Sequence, residues 1–345
     1  MLYLDTMRAV AALMVVISHF IERTPLHEFV LFRYFTPGQF GVVVFFMLSG
    51  FVIPYSLKEG LAAVLRFSLL RFFRLYPAYW VSVGLAVISV VYFQRAPLDI
   101  KLLLANLTML QLPLGFKDMF GVYWTLLVEL FFYFCCAVLA LIGVLKRLQV
   151  RFLLSVFFLV LALAGSLMVY YKNIPIRVGI FCALSLMFFG SVWRDAVLEK
   201  IEYAPRYAAI WIVLFVLVFP VIAFFAYNVD KGQGQSVYNY TGSYWMGILF
   251  FLLFSSVIKV QGRVLAYMGL VSYSLYLVHP FFLEFAASVT DLKSRFDLSV
   301  FVIYCSATIV LSMVIYHGVE RPGMKLGKRI VDFFSARQGF KERVV

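Results

Sequence analysis

Long apolar runs, separated by short basic or Pro/Gly-containing breaks, recur along the chain. A helix needs about 20 such residues to cross a ~30 Å hydrocarbon core. Ten runs qualify: 7–22, 37–57, 76–93, 122–145, 152–171, 177–193, 207–227, 243–258, 264–284 and 298–318. They are too long for barrel strands, and an open sheet would leave backbone groups unsatisfied in lipid. The pattern therefore predicts an all-α fold, a polytopic membrane bundle of about ten transmembrane helices. The run 102–113 (LLLANLTMLQLP) is apolar but short and reads as a re-entrant or interfacial piece. The longest polar stretch, 228–242, reads as an outer loop. No internal repeat or low-complexity segment is found. Residues 1–320 make one transmembrane domain, and 321–345 a short basic cytoplasmic tail, too short for a second globular domain.

Composition narrows the class. Of 345 residues, 64% are hydrophobic and 14% charged, against roughly 45–50% and 25% in a soluble domain. Mean hydropathy is +0.95. Disorder, collagen, coiled coil and a secreted disulfide scaffold are excluded. The net charge of +13 could suggest nucleic acid, but basic residues in a polytopic chain report topology first. With the N-terminus in the cytoplasm, 20 of the 30 Lys and Arg residues fall on the cytoplasmic face. This predicts N-in and C-in, agrees with an even number of spans, and leaves membrane lipids rather than nucleic acid as the partner. No cleavable signal is expected, since the first run begins almost at Met1 without a small-residue cleavage site. Cys135, Cys136, Cys182 and Cys305 lie in apolar stretches without metal-ligand spacing and read as packing residues, with no metal expected.

Charges inside apolar runs are costly and are kept where paired or useful. Arg8 and His19 are eleven residues apart in the first run, three turns plus about 20°, so both project from one face roughly 16 Å apart. Asp5 can pair with Arg8 at i,i+3. Arg8 is either a positive-inside anchor or part of a site; His19 is either an interfacial residue or a catalytic one. Trp124 opens the fourth run and Glu129 lies within it, needing a partner helix or a water-filled cavity. Arg71 and Arg74, one turn apart, suit a phosphate and equally suit a topogenic cluster. Ser272, Tyr276 and His279 fall within about 60° of one helix face, as a polar seam or part of a substrate cavity. His317 and Glu320 form an i,i+3 pair that reads as structural, and His27 lies in a loop. Asn106-Leu-Thr and Asn239-Tyr-Thr match glycosylation acceptors, tripeptides that recur by chance.

Together these segments resemble the acyltransferase 3 family of integral membrane O-acyltransferases, across nearly the whole chain. YLDTMRAVAALMVVISH resembles its opening element, with Arg8 and His19 at the Arg-x10-His spacing. GQFGVVVFFMLSGFVIPYSL resembles the FFxLSGF element, RFFRLYP the RxxR-x-YP element, and YWTLLVELFFY the W-S-L-x-x-E-x-x-F-Y element, with Thr125 where serine is usual. SYSLYLVHPF matches the late S-Y-x-x-Y-L-x-H element, and Glu320-Arg321-Pro322 the closing E-x-P. The glycine common in the first element is absent at Asp5-Thr6-Met7, and the expectation is a stand-alone form without an SGNH-type hydrolase domain.

The resemblance implies a multi-pass protein of the inner (plasma) membrane. It would take an acyl group, usually acetyl, from cytoplasmic acyl-CoA to a hydroxyl of a cell-envelope glycan, such as O-antigen or exopolysaccharide, or of a lipid-linked sugar. Arg71 and Arg74, with Arg8, would hold the CoA phosphates. His19 would act as general base or transient acyl carrier, with Glu129 orienting it through a direct contact. Ser49, Trp124, Tyr276 and His279 would line the substrate path, Ser49 and Gly50 letting a ligand approach the backbone. The rival readings are a polytopic transporter or flippase, which commonly shows internal repeats, and a non-catalytic scaffold of an envelope complex.

Overall fold

The computed structural model describes residues 1–227 and 236–341, with side chains described to residue 334. Among them the chain is helical, without strands: α1 (Leu2–Ile21), α2 (Pro37–Ser56), α3 (Leu61–Ile88), α4 (Ile100–Leu107), α5 (Tyr123–Leu141), α6 (Leu148–Lys172), α7 (Val178–Arg194), α8 (Ala204–Tyr227), α9 (Val237–Ser256), α10 (Arg263–Val289), α11 (Leu298–Ile315) and α12 (Arg321–Lys341). Nine of the described helices are long and apolar enough to cross a membrane. The tenth expected span, 243–258, is the helix α9, but its first half (VYNYTGSYW) is too polar to meet the same measure.

Two boundaries differ most from expectation. The third helix starts at Leu61 rather than 76 and runs through Pro77 and a π turn to Phe93. Arg66, Arg71 and Arg74 make its first half look like a loop in sequence, whereas they ride on a helix: Arg66 is exposed, and the half-buried Arg71 and Arg74 share the face of the buried Val64, Phe67 and Leu75. The tail from 321 is not a loose extension: a π turn (Tyr316–Glu320) carries α11 directly into α12. α12 lies on α3, where Gly327 leaves the room that the Phe73 side chain fills: a Cβ there would sit 2.6 Å from Phe73 Cβ.

In lipid no hydrophobic force drives helices together, so close packing of small residues does. Glycines mark the crossings. A Cβ at Gly50 would fall 1.7 Å from the Met187 carbonyl oxygen, at Gly190 2.4 Å from that of Met47, and at Gly41 2.4 Å from that of Ala11. Thus α2 is clamped between α1 and α7, with α10 on the other side of α1. Gly50 is a helix–helix contact, which corrects the expectation that it opens the backbone to a ligand. α2 is the most enclosed span, 72% buried, and the segment Leu298–Phe334 the least, 22%. Where α6 meets the end of α7, Arg151 and Asp195 make a buried ion pair at 2.5 Å.

The 102–113 piece is α4 and the turn after it. Asp99 caps α4 by accepting from the amides of Lys101 and Leu102. Tyr76, Tyr79 and Trp80 donate to the carbonyls of Thr108, Asn106 and Leu107, so this connection reaches the middle of the Leu61–Phe93 helix. α5 consequently begins inside the bundle, where Tyr123 meets the Ser82 hydroxyl at 2.8 Å.

Candidate active site

His19 lies in the last turn of α1 and His279 in α10, just before Pro280. His19 Nδ1 and His279 Nε2 are 2.8 Å apart, with the rings 7° from parallel. His279 is fully buried and His19 half-buried. Ten residues before His279, Gly269 lets α10 meet the main chain of α1: a Cβ there would lie 1.9 Å from the Asp5 carbonyl oxygen. One turn back along α10, the Tyr276 hydroxyl is 2.8 Å from Thr125 Oγ1 and also donates to the Val122 carbonyl. The hydroxyl retained by Thr125 therefore has a defined partner. Tyr276 is edge-on to His279 and to Phe45, and Trp124 is edge-on to Phe46 at 6.0 Å.

Glu129 lies one turn further along α5, towards the face that carries Met1. Its Oε1 accepts from the Tyr133 hydroxyl and, at 3.5 Å, from Ser49. Three residues on α10 and four on α5 separate the His pair from Glu129, roughly 10 Å at 1.5 Å per residue. Glu129 makes no hydrogen bond to His19 among the described residues, and that expected contact is corrected: His279 occupies the place beside His19. Tyr133, which closes the W-S-L-x-x-E-x-x-F-Y element but was given no role of its own, is at i+4 from Glu129 and so on the same helix face. That spacing is the signal that could have singled it out.

The arginines gather around this carboxylate. Arg8 pairs with Asp5 at 2.6 Å, as its spacing predicts, and lies in the field of Arg74 and Glu129. Arg71 donates to Ser56 at 3.2 Å and stacks over Phe67 and Tyr133. It borders a cleft of about 290 Å³ between α3 and α5 whose walls include Phe72, Tyr76 and Phe134. Arg74 turns away from that cleft, towards Met324 on α12, at 3.6 Å from its sulfur, and lies in the field of Glu320. Among the described residues the two forks share no hydrogen-bond partner. Glu320 is buried and accepts from Ser274 at 2.7 Å, while His317 instead meets the Tyr267 hydroxyl. The expected His317–Glu320 pair is thus split, because the π turn from Tyr316 to Glu320 breaks the 3.6-residue register that the i,i+3 argument assumes.

Over the start of α5 sits the connection that ends in Asp118. Gln111 donates to Asp118 at 2.5 Å and Arg177 lies 3.6 Å from its other oxygen. Burial outweighs both and pushes the carboxyl above the usual aspartate range. Asn106 is fully buried and donates to the carbonyls of Leu102 and Lys117. Asn239 is buried in the capping box of α9. Neither asparagine is open to a glycan. Among the described residues, no three His, Cys, Asp or Glu side chains gather as metal ligands.

Compared with known families, the chain matches the family model described as an acyltransferase domain over residues 1–317. No curated protein and no solved structure matches it.

Proposed function

The chain belongs to this acyltransferase family and is a multi-pass membrane acyltransferase, and from that premise we propose the direction and chemistry of transfer. It takes an acyl group, acetyl in the simplest case, from acyl-CoA at the cytoplasmic face, which carries Met1. The acceptor is a hydroxyl of an envelope glycan or lipid-linked sugar at the opposite face of the inner membrane. One observation carries the reading: a line of polar side chains that runs through the bundle. It runs from Arg8, Arg71 and Arg74 through Glu129 and Tyr133 to Thr125 and Tyr276, and ends at the His19–His279 pair.

Arginines at one end suit the phosphates of CoA, and the pantetheine arm then points towards Tyr276. Glu129 belongs to the donor end, where it holds the arginines in place by charge. At the other end His19 accepts the proton of the acceptor hydroxyl. The hydroxyl oxygen bonds to the acyl carbon, the carbon–sulfur bond breaks, and the CoA thiolate leaves and is protonated. Ser49, Trp124 and Tyr276 line the path between the two ends.

The test is acyl transfer by purified protein from labelled acetyl-CoA to envelope glycan. His19→Ala should lower turnover about 10²–10⁴-fold, the usual contribution of a general base. Arg71→Ala and Arg74→Ala should raise the KM for acetyl-CoA, with a salt-sensitive loss of affinity. Unchanged transfer in His19→Ala would remove the catalytic role, and unchanged KM in both arginine variants would remove the donor assignment.

A further inference from the structure

The direction of the His19–His279 hydrogen bond decides which nitrogen of His19 is free for chemistry. A neutral imidazole has one N–H donor and one acceptor nitrogen. His279 is completely buried, and its side-chain hydrogen bond is to another imidazole rather than to a carboxylate. A charge buried without a counter-ion is costly, so this ring is neutral.

The fold also biases its proton. The main-chain carbonyls of Leu275 and Tyr276, one turn back, lie beside the buried ring, whose Nδ1 makes no hydrogen bond of normal length and angle among the described residues. The next residue is Pro280, inside the helix. Proline has no N–H, so the carbonyl four residues earlier, that of Tyr276, is left without its helical donor. A proton on His279 Nδ1 is attracted by these carbonyl oxygens, whereas a bare lone pair there would be repelled by them. With the proton on Nδ1, His279 Nε2 is an acceptor, and the 2.8 Å contact runs from His19 Nδ1–H to His279 Nε2.

We propose that His279 is a positioning residue that holds His19 as its Nδ1–H tautomer and leaves the His19 Nε2 lone pair as the base for acyl transfer. Among the described residues that nitrogen has no protein partner, and the ring is half-buried, open to a substrate hydroxyl. When Nε2 takes up a proton, the imidazolium formed keeps its Nδ1–H donating to His279, a charge-assisted bond. A neutral histidine thus fills the orienting place that a carboxylate fills in a triad. The catalytic consequence rests on His19 as general base; the tautomer does not.

The chain has only four histidines, so nitrogen-15 spectra of the imidazoles resolve them in the detergent-solubilised protein, with His19→Gln identifying the His19 signals. The expected result is His19 protonated at Nδ1 and bare at Nε2. His279→Leu should move the proton to Nε2, the form an unconstrained histidine favours in water. It should also lower kcat about tenfold or more while leaving the KM for acetyl-CoA unchanged. His279→Gln, whose carbonyl oxygen can accept from His19 Nδ1–H, should restore part of both. Protonation of His19 at Nε2 in the unsubstituted protein would overturn the assignment whether or not the variants fold. An unchanged tautomer and kcat in a folded His279→Leu would also overturn it. The assigned tautomer together with a fully active His19→Gln would instead overturn the reading of His19 as the base.

Discussion

Asp118 shows how one side chain carries the environment of the whole connection between α4 and α5. Its carboxyl is raised because the fold removes it from water more than Gln111 and Arg177 compensate. A carboxyl raised in the folded state favours folding in its protonated form. That contribution is fully present below the ordinary aspartate value of 3.8 and is lost as pH rises through the raised one. Asp118→Asn, which keeps an acceptor for Gln111, should therefore unfold at a higher temperature than the parent at neutral pH, the gap closing in acid. A variant less stable at neutral pH would show that the attraction of Arg177 wins instead. At this scale sequence is most informative where partners are local. Asp5 and Arg8 pair within one turn, and their pairing is readable from spacing alone. His19 and His279 are separated by 260 positions. Spacing within each helix marked both rings as polar intruders but could not bring them together, and it assigned Glu129 to a place that His279 occupies.

Among the elements, α2 and α7 meet main chain to main chain, and this makes an unusually clean comparison. Gly50→Ala would place a Cβ 1.7 Å from the Met187 carbonyl oxygen, so the two helices must separate, at a cost of about 1–3 kcal/mol or more. Gly84, in the last third of α3, has nothing within 4 Å of the same atom. Alanine there should be neutral or stabilising by about 0.5–1 kcal/mol through better helix propensity. Thermal unfolding of the two variants in detergent measures both; equal effects would mean that α2 and α7 are not in contact. Helix existence was legible because length and apolarity alone specify a span. Helix ends were legible only where they coincide with a change in polarity. The start of α3 at Leu61 was hidden by its arginines, and the continuity of α11 with α12 by the basic composition after Glu320.

For the molecule as a whole, α9 decides the sidedness of the termini. Nine crossings would put the two ends on opposite faces of the membrane; a tenth, through α9, puts them on the same face. Its polar first half packs against the enclosed part of the bundle, with Tyr240, Ser243 and Tyr244 buried, which is where a spanning helix can carry polar residues. With ten crossings the basic residues divide two to one in favour of the face that carries the termini, the bias the positive-inside rule expects. A fluorescent protein fused after residue 345 should therefore mature in the cytoplasm, and an alkaline phosphatase at the same place should stay inactive. The opposite pair of results would remove α9 from the count of crossings. The glycine crossings have one more consequence, for heredity rather than for stability. A contact between two side chains can be renegotiated over generations, a larger residue on one helix answered by a smaller one on its neighbour. A contact created by the absence of a side chain offers nothing to trade. Gly41, Gly50, Gly190 and Gly269 all meet carbonyl oxygens, so descendants of this sequence can drift freely along the lipid-facing sides of α6, α8 and α11 while α1, α2, α7 and α10 remain bound to one arrangement, and with them the distance between His19 and His279.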